Sequence, residues 1–258
     1  MNVGERDELI FKLAVIALRD SGGNLFGNTI NSVGFGGYEY TSLPNGYNLA
    51  QCLEMSDDEL NKFAVQHGIT KAAPGDKSDI YINGNGISIK SLRAAPAALV
   101  NHTARPGFEF ACRHSGADIS FLDDAVEQYW KLRLKGVISE DTKIIDSNCP
   151  FIPYKQQLKP VVEYFLFKGT GSKLSNRPAC GIIEFTNPLV TATYKWLSPD
   201  QAFESVWSKL IFSMRAKKGM PKNYDLNTYK GDNAMSIAKW VRFASDDYRG
   251  ALHIRCSR

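Results

Sequence analysis

One stretch leaves this chain few ways to fold: Lys77-Ser78-Asp79-Ile80-Tyr81-Ile82-Asn83-Gly84-Asn85-Gly86-Ile87-Ser88-Ile89-Lys90, two alternating apolar runs around Asn-Gly-Asn-Gly. Asn-Gly accepts the left-handed backbone of a tight reversal, and strict alternation puts every second side chain on one face, so a β-hairpin is predicted. With the reversal centred on Gly84 and Asn85, residue 82 pairs with 87, 80 with 89 and 79 with 90. Ile80, Ile82, Ile87 and Ile89 then line a core face, while Asp79, Tyr81, Ser88 and Lys90 line the other.

The polar face can be read in two ways. Asp79 opposite Lys90 is an ordinary cross-strand ion pair, which stabilises by less than about 1 kcal/mol. The order of the groups says more: an aspartate opens one strand and polar-x-Lys sits in the middle of the next. The Asp79 carboxylate and the Ile89 carbonyl suit a hydrated Mg²⁺, and Lys90 beside them suits a water positioned for attack on a phosphodiester. That is the layout of a metal-dependent nuclease.

The remaining sequence is compatible with such a role. The composition, 43% hydrophobic and 22% charged over 258 residues, is that of a folded protein with an ample core. Lys12 interrupts the apolar run near the start, so neither a signal peptide nor a membrane span is predicted, and a cytoplasmic location is expected. Five scattered cysteines without a Cys-x-x-Cys pair indicate reduced thiols, not a disulfide framework or a zinc site. Charge is uneven: residues 1–80 carry 11 acidic against 6 basic side chains, and residues 209–258 carry 11 basic against 4 acidic. An acidic start able to hold a metal and a basic end able to grip a polyanion suit a nucleic-acid partner, although a solvated basic surface has the same charge.

Amphipathic helices are predicted over 4–20, 56–68, 121–135, 155–167 and 199–214, with turns and short strands over 22–46 and a buried strand around Ile182-Ile183-Glu184-Phe185. Glu5 and Glu8 share one helix face, either as acids that suit the helix dipole or as carboxylates aimed at the hairpin. His67 is read as a helix-end residue. Beyond residue 215, Tyr224, Tyr229 and Trp240 alternate with Lys and Arg, which suits contact with bases as well as phosphates. Two strands around 237–243 and 251–256 form either a groove-contacting hairpin or a sheet edge.

Three separated blocks resemble the HpaII-type restriction endonucleases of the PD-(D/E)xK nuclease superfamily. Gly4-Glu5-Arg6-Asp7-Glu8-Leu9 is similar to that family's opening helix, and Lys77-Ser78-Asp79-Ile80 to its Lys-x-Asp-Ile strand. Ser88-Ile89-Lys90-Ser91, followed by Pro96, Leu99 and Asn101, is similar to its Ser-Ile-Lys-Ser block; Leu252-His253-Ile254-Arg255 is a weaker fourth match. The resemblance implies an α/β fold with a restriction-endonuclease-like core, a mixed β-sheet flanked by helices, and a C-terminal DNA-binding portion. Residues 1–145 would form the nuclease core and 146–258 the rest of the fold with its recognition elements.

The implied activity is Mg²⁺-dependent, sequence-specific hydrolysis of double-stranded DNA, with a cognate DNA methyltransferase as functional counterpart and not as bound partner. Palindromic recognition would suit a two-fold homodimer. Asp79, Ser88 and Lys90 take the catalytic positions, with Asp79 and the Ile89 carbonyl as metal ligands. Ser88 stands where the superfamily more often has an acid, so the second carboxylate falls to Glu8 or Glu5. Ser91, Asn101, Lys217, Lys218, Lys222, Arg242 and Arg255 are the implied DNA contacts. A structure-selective nuclease of the same superfamily, or a DNA-binding module that has lost catalysis, would share these motifs.

Overall fold

The computed structural model describes residues 1–36, 38–40, 47–69, 71–96, 98–216, 239–244 and 247–257. It is a mixed α/β protein of two units, Met1–Ala95 with Ser175–Ala202, and Pro96–Leu174 with Phe203–Arg258. The chain therefore passes between units three times, and a division at 145/146 is not observed. Lys217, Lys218, Lys222, Tyr224 and Tyr229 lie outside the described residues.

The first passage holds α1 (Val3–Asp20), β1 (Asn24–Leu25), β2 (Asn28–Thr29), β3 (Val33–Phe35), β4 (Tyr38–Tyr40), α2 (Leu49–Glu54), α3 (Asp57–Gln66), β5 (Ile80–Ile82) and β6 (Asn85–Ser91). The second holds β7 (Ala98–Ala104), α4 (Arg105–Ser115), α5 (Ser120–Leu134), β8 (Thr142–Lys143) and α6 (Lys155–Glu163), which runs on into a π-helical turn over Tyr164–Lys168. The third brings β9 (Gly181–Phe185), β10 (Lys195–Leu197) and the start of α7 (Pro199–Trp207), inside which the last crossing falls. After it come β11 (Leu210–Arg215), β12 (Arg242–Ala244), β13 (Asp247–Arg249) and β14 (Ala251–Cys256).

In the first unit the sheet order is β10-β9-β6-β5-β3-β4, with β6 and β9 parallel and the other neighbours antiparallel. One face of this sheet is apolar. Ile80, Ile82, Ile87, Ile89, Ile183 and Phe185 share a core with Leu9, Ile10, Phe11, Leu13 and Ile16 of α1, and the Phe11 and Phe185 rings stack 5.0 Å apart. α1 forms because its apolar stripe meets this face and because Asn2 and Glu5 close a reciprocal capping box at its start. α3 opens the same way, with Ser56 and Glu59, and His67 caps its end with its ring against Phe63.

The hairpin has the predicted faces but another register. Ile80 pairs with Ile87 and Ile82 with Asn85, so the reversal is centred on Asn83 and Gly84, whose φ angles are 51° and 79°. Slipping one strand by a single residue would turn its two isoleucines to the polar side, at a cost on the order of 3 kcal/mol or more. The observed shift preserves the faces, so side-chain pattern alone does not choose between the two centres. Asn83 does: its Oδ1 accepts the Asn31 and Ser32 N–H groups at 2.7 and 3.1 Å, and its Nδ2 donates to the Thr29 carbonyl at 2.8 Å. These bonds tie the turn to the chain entering β3.

The second unit pairs its four-stranded antiparallel sheet, β7-β14-β11-β8, with a core that draws on α4, α5 and α6. β7 and α4 have no counterpart in the sequence-based reading. The helix predicted over 199–214 stops at Trp207, because Leu210 to Arg215 form a strand paired on both sides. Of the strand expected around 237–243, residues 239 and 240 are helical and Arg242–Ala244 form a strand that pairs with β13, while β14 lies inside the sheet and not at its edge. Trp240 is a core residue: its ring lies 5.4 Å from that of Phe108, and its indole N–H donates to Asp123 Oδ1 at 2.8 Å. Contact between Trp240 and bases is thereby ruled out in this fold.

Candidate active site

The site forms where β5 ends and β6 continues. Among the described residues no strand lies beside this edge of β6 beyond Ile80, and the Asp79 side chain takes over as its partner. Asp79 Oδ2 accepts the Ile89 N–H at 2.8 Å and the Ser88 hydroxyl at 3.1 Å. Asp79 therefore faces Ser88, not Lys90 as the first register had it. In an extended strand the N–H and C=O of one residue point to the same side. The Ile89 carbonyl therefore looks toward the Asp79 side, as a ligand from that residue requires.

On its other edge β6 runs parallel to β9, with Ser88 beside Ile182 and Lys90 beside Glu184. Paired residues share a face, so Glu184, half-buried, stands next to the exposed Lys90. From the sequence alone Glu184 reads only as part of a buried strand. Its signal was a lone acid in the apolar run Ile182-Ile183-Glu184-Phe185, but which strand it would face could not be read.

Lys77 opens the Lys-x-Asp-Ile block. The N–H groups of Lys77 and Ser78 both donate to the Arg177 carbonyl at 3.0 Å, and Ser78 Oγ donates to the Pro178 carbonyl at 2.6 Å. The approach depends on Gly86, where a Cβ would lie 2.7 Å from the Pro178 oxygen. Burial, then the neighbouring Lys90 ammonium, hold the Lys77 pKa below the usual lysine value, partly opposed by Asp79.

The first helix does not bring Glu5 or Glu8 to Asp79. α1 packs on the isoleucine face, where Glu5 caps the helix and pairs with Lys71, and Glu8 pairs with Lys12 at 2.7 Å. The helix acid that does reach β6 is Asp7, which is buried and accepts the Ser91 hydroxyl at 2.5 Å together with the Arg93 guanidinium. Ser91, an implied DNA contact, is thus engaged inside the protein. Among the described residues no group of three or more His, Cys, Asp or Glu side chains is gathered to hold a metal ion.

The chain matches no family model, no curated protein and no solved structure.

The other implied DNA contacts belong to the second unit. Asn101 is exposed on β7, where the pairing with β14 shifts register between Leu252 and Ile254. Arg255 is paired with Asp141 at 2.7 Å, and the Arg242 guanidinium donates to the Val241 carbonyl at 2.9 Å. Among the described residues no helix is long and apolar enough to cross a membrane. All five cysteines are free thiols.

Proposed function

We propose that this chain is a Mg²⁺-dependent endonuclease for double-stranded DNA, of the restriction type that its motifs resemble. The observation that carries the reading is the junction where β5 gives way to β6, with Asp79, the Ile89 backbone, Lys90 and Glu184 on one short stretch of sheet. Mg²⁺ keeps most of its waters and needs only one or two protein carboxylates, so this oxygen-rich, sparsely charged donor set fits it. Asp79 and the Ile89 carbonyl would hold the ion, with Glu184 as the second carboxylate in place of Glu5 and Glu8. When bound, the ion would stabilise the negative charge that develops as the phosphodiester is attacked. Lys90 orients the attacking water, and Ser88 keeps the Asp79 carboxylate in place through its hydroxyl.

Incubation with plasmid DNA and Mg²⁺ tests this directly. Discrete fragments are expected, with Asp79→Asn and Lys90→Ala abolishing cleavage while DNA binding persists; wild type that cuts nothing with any divalent metal ends the proposal. A second reading, a DNA-binding module without catalysis, is favoured by the two hydrogen bonds that Asp79 accepts from its own hairpin. Under that reading wild type binds DNA without cutting it, and neither substitution alters binding.

A further inference from the structure

The lysines of the site lack the partners that a settled ion-pair network would give them. Among the described residues neither Lys77 nor Lys90 lies within hydrogen-bond or salt-bridge reach of a carboxylate, although Lys77 is half-buried and close enough to Lys90 for their charges to repel. Its backbone is not free to relieve this. Residues 76–78 are tied to residues 177 and 178 by the two N–H bonds to the Arg177 carbonyl, by the Ser78 hydroxyl and by an Arg177–Asp76 contact of 3.6 Å. Holding a partly desolvated ammonium beside another is unfavourable, the Asp79 carboxylate offsets only part of that repulsion, and an anion between the two lysines lowers the penalty further.

We infer that Lys77 contacts a phosphate of bound DNA alongside Lys90, so that two lysines, not one, grip the strand at this site. This rests on the nuclease reading for the identity of the anion. Lysine suits such a role as a compact point charge, without the bidentate geometry of arginine. Its contribution is to binding, is independent of base sequence, and is separate from the water that Lys90 orients.

The test is duplex binding in metal-free buffer, using a mixed-sequence linear DNA fragment and a series of salt concentrations. Removing one phosphate contact lowers the slope of log affinity against log salt by about 1. Lys77→Gln is expected to show that loss with weaker binding, Lys77→Arg to restore it, and Lys195→Gln, an exposed lysine on β10, to leave the slope unchanged. A Lys77→Gln protein that binds with the wild-type slope overturns the inference, and if wild type still cuts plasmid the nuclease reading survives that failure. Should Lys77→Gln not fold, amine acylation of wild type followed by peptide mass analysis decides instead. DNA is expected to protect Lys77 at least several-fold more than Lys195, and equal protection overturns the inference.

Discussion

On the proposed reading Asp79 has two jobs, holding a metal ion and completing the sheet, and substitution can separate them. Its Oδ2 is the acceptor for the Ile89 N–H at 2.8 Å and the Ser88 hydroxyl at 3.1 Å, and both donors belong to buried residues. Asp79→Ala leaves both donors without that acceptor. A buried unsatisfied donor costs about 1–3 kcal/mol, the rotatable hydroxyl toward the low end, so the loss should be about 3 kcal/mol. Asp79→Asn keeps an amide oxygen in place and loses only the charge-assisted part, about 1 kcal/mol. The difference of about 2 kcal/mol corresponds to roughly 30-fold in the opening equilibrium that amide exchange reports. The assay is amide exchange at Ile89 in metal-free buffer, with urea unfolding of each variant as the global check. Cleavage should be lost in both variants, while exchange at Ile89 should be roughly 30-fold faster in Asp79→Ala than in Asp79→Asn. Equal exchange would refute the view that the carboxylate completes the sheet.

Three further outcomes are expected. Gly86→Ala should lower stability by about 2 kcal/mol in urea unfolding, because the new methyl meets Ser78 Oγ and the Pro178 carbonyl; an unchanged midpoint would contradict the close approach. Burial would raise the Asp123 pKa, but hydrogen bonds from Arg105 above all, then Lys239 and Trp240, hold it below the usual carboxylate value. A depressed folded-state pKa stabilises above the unfolded value of about 3.9, and that stability is lost as pH falls through the folded value. Asp123→Asn should therefore be less stable at neutral pH but lose less on acidification below about pH 4, and parallel curves of urea midpoint against pH would count against this. Among the thiols, exposed Cys180 should react first with a disulfide reagent at pH 8. Burial pushes Cys112 up to about 12 and Cys149 to about 11, so both should label only on unfolding, as peptide mass analysis can check.

What could be read from the sequence followed from short periods. The faces of the hairpin were legible because alternation fixes which isoleucines go inward, and α1 because its apolar stripe and first-turn acids are local. The register was not, since a two-residue shift leaves every side chain on its face and the deciding Asn83 bonds reach back to residues 29–32. Glu5 and Glu8 drew attention by their spacing, yet Asp7 between them is the acid that touches β6, because the side of the sheet on which α1 packs is a tertiary matter. The run through Leu210-Ile211-Phe212 can serve a helix or a strand, and pairing with β14 and β8 decided it. Trp240 stands among basic residues, a setting that suits a surface, but Asp123, more than a hundred residues earlier, supplies the acceptor that lets its indole be buried. The partner of Lys90 on β9 was equally out of reach of any local pattern.

The parallel pairing of β6 with β9 also sets an order of events during synthesis. A growing chain that has reached residue 174 already carries Asp79, Ser88 and Lys90, but it has neither Glu184 nor the Arg177 and Pro178 carbonyls that fasten Lys77. The whole of β7 to α6 must emerge before the strand that completes the sheet is available, and such distant pairings form late. On the proposed reading, the site would stay incomplete until the chain has grown past residue 184, so catalysis would wait on the sheet's parallel pairing.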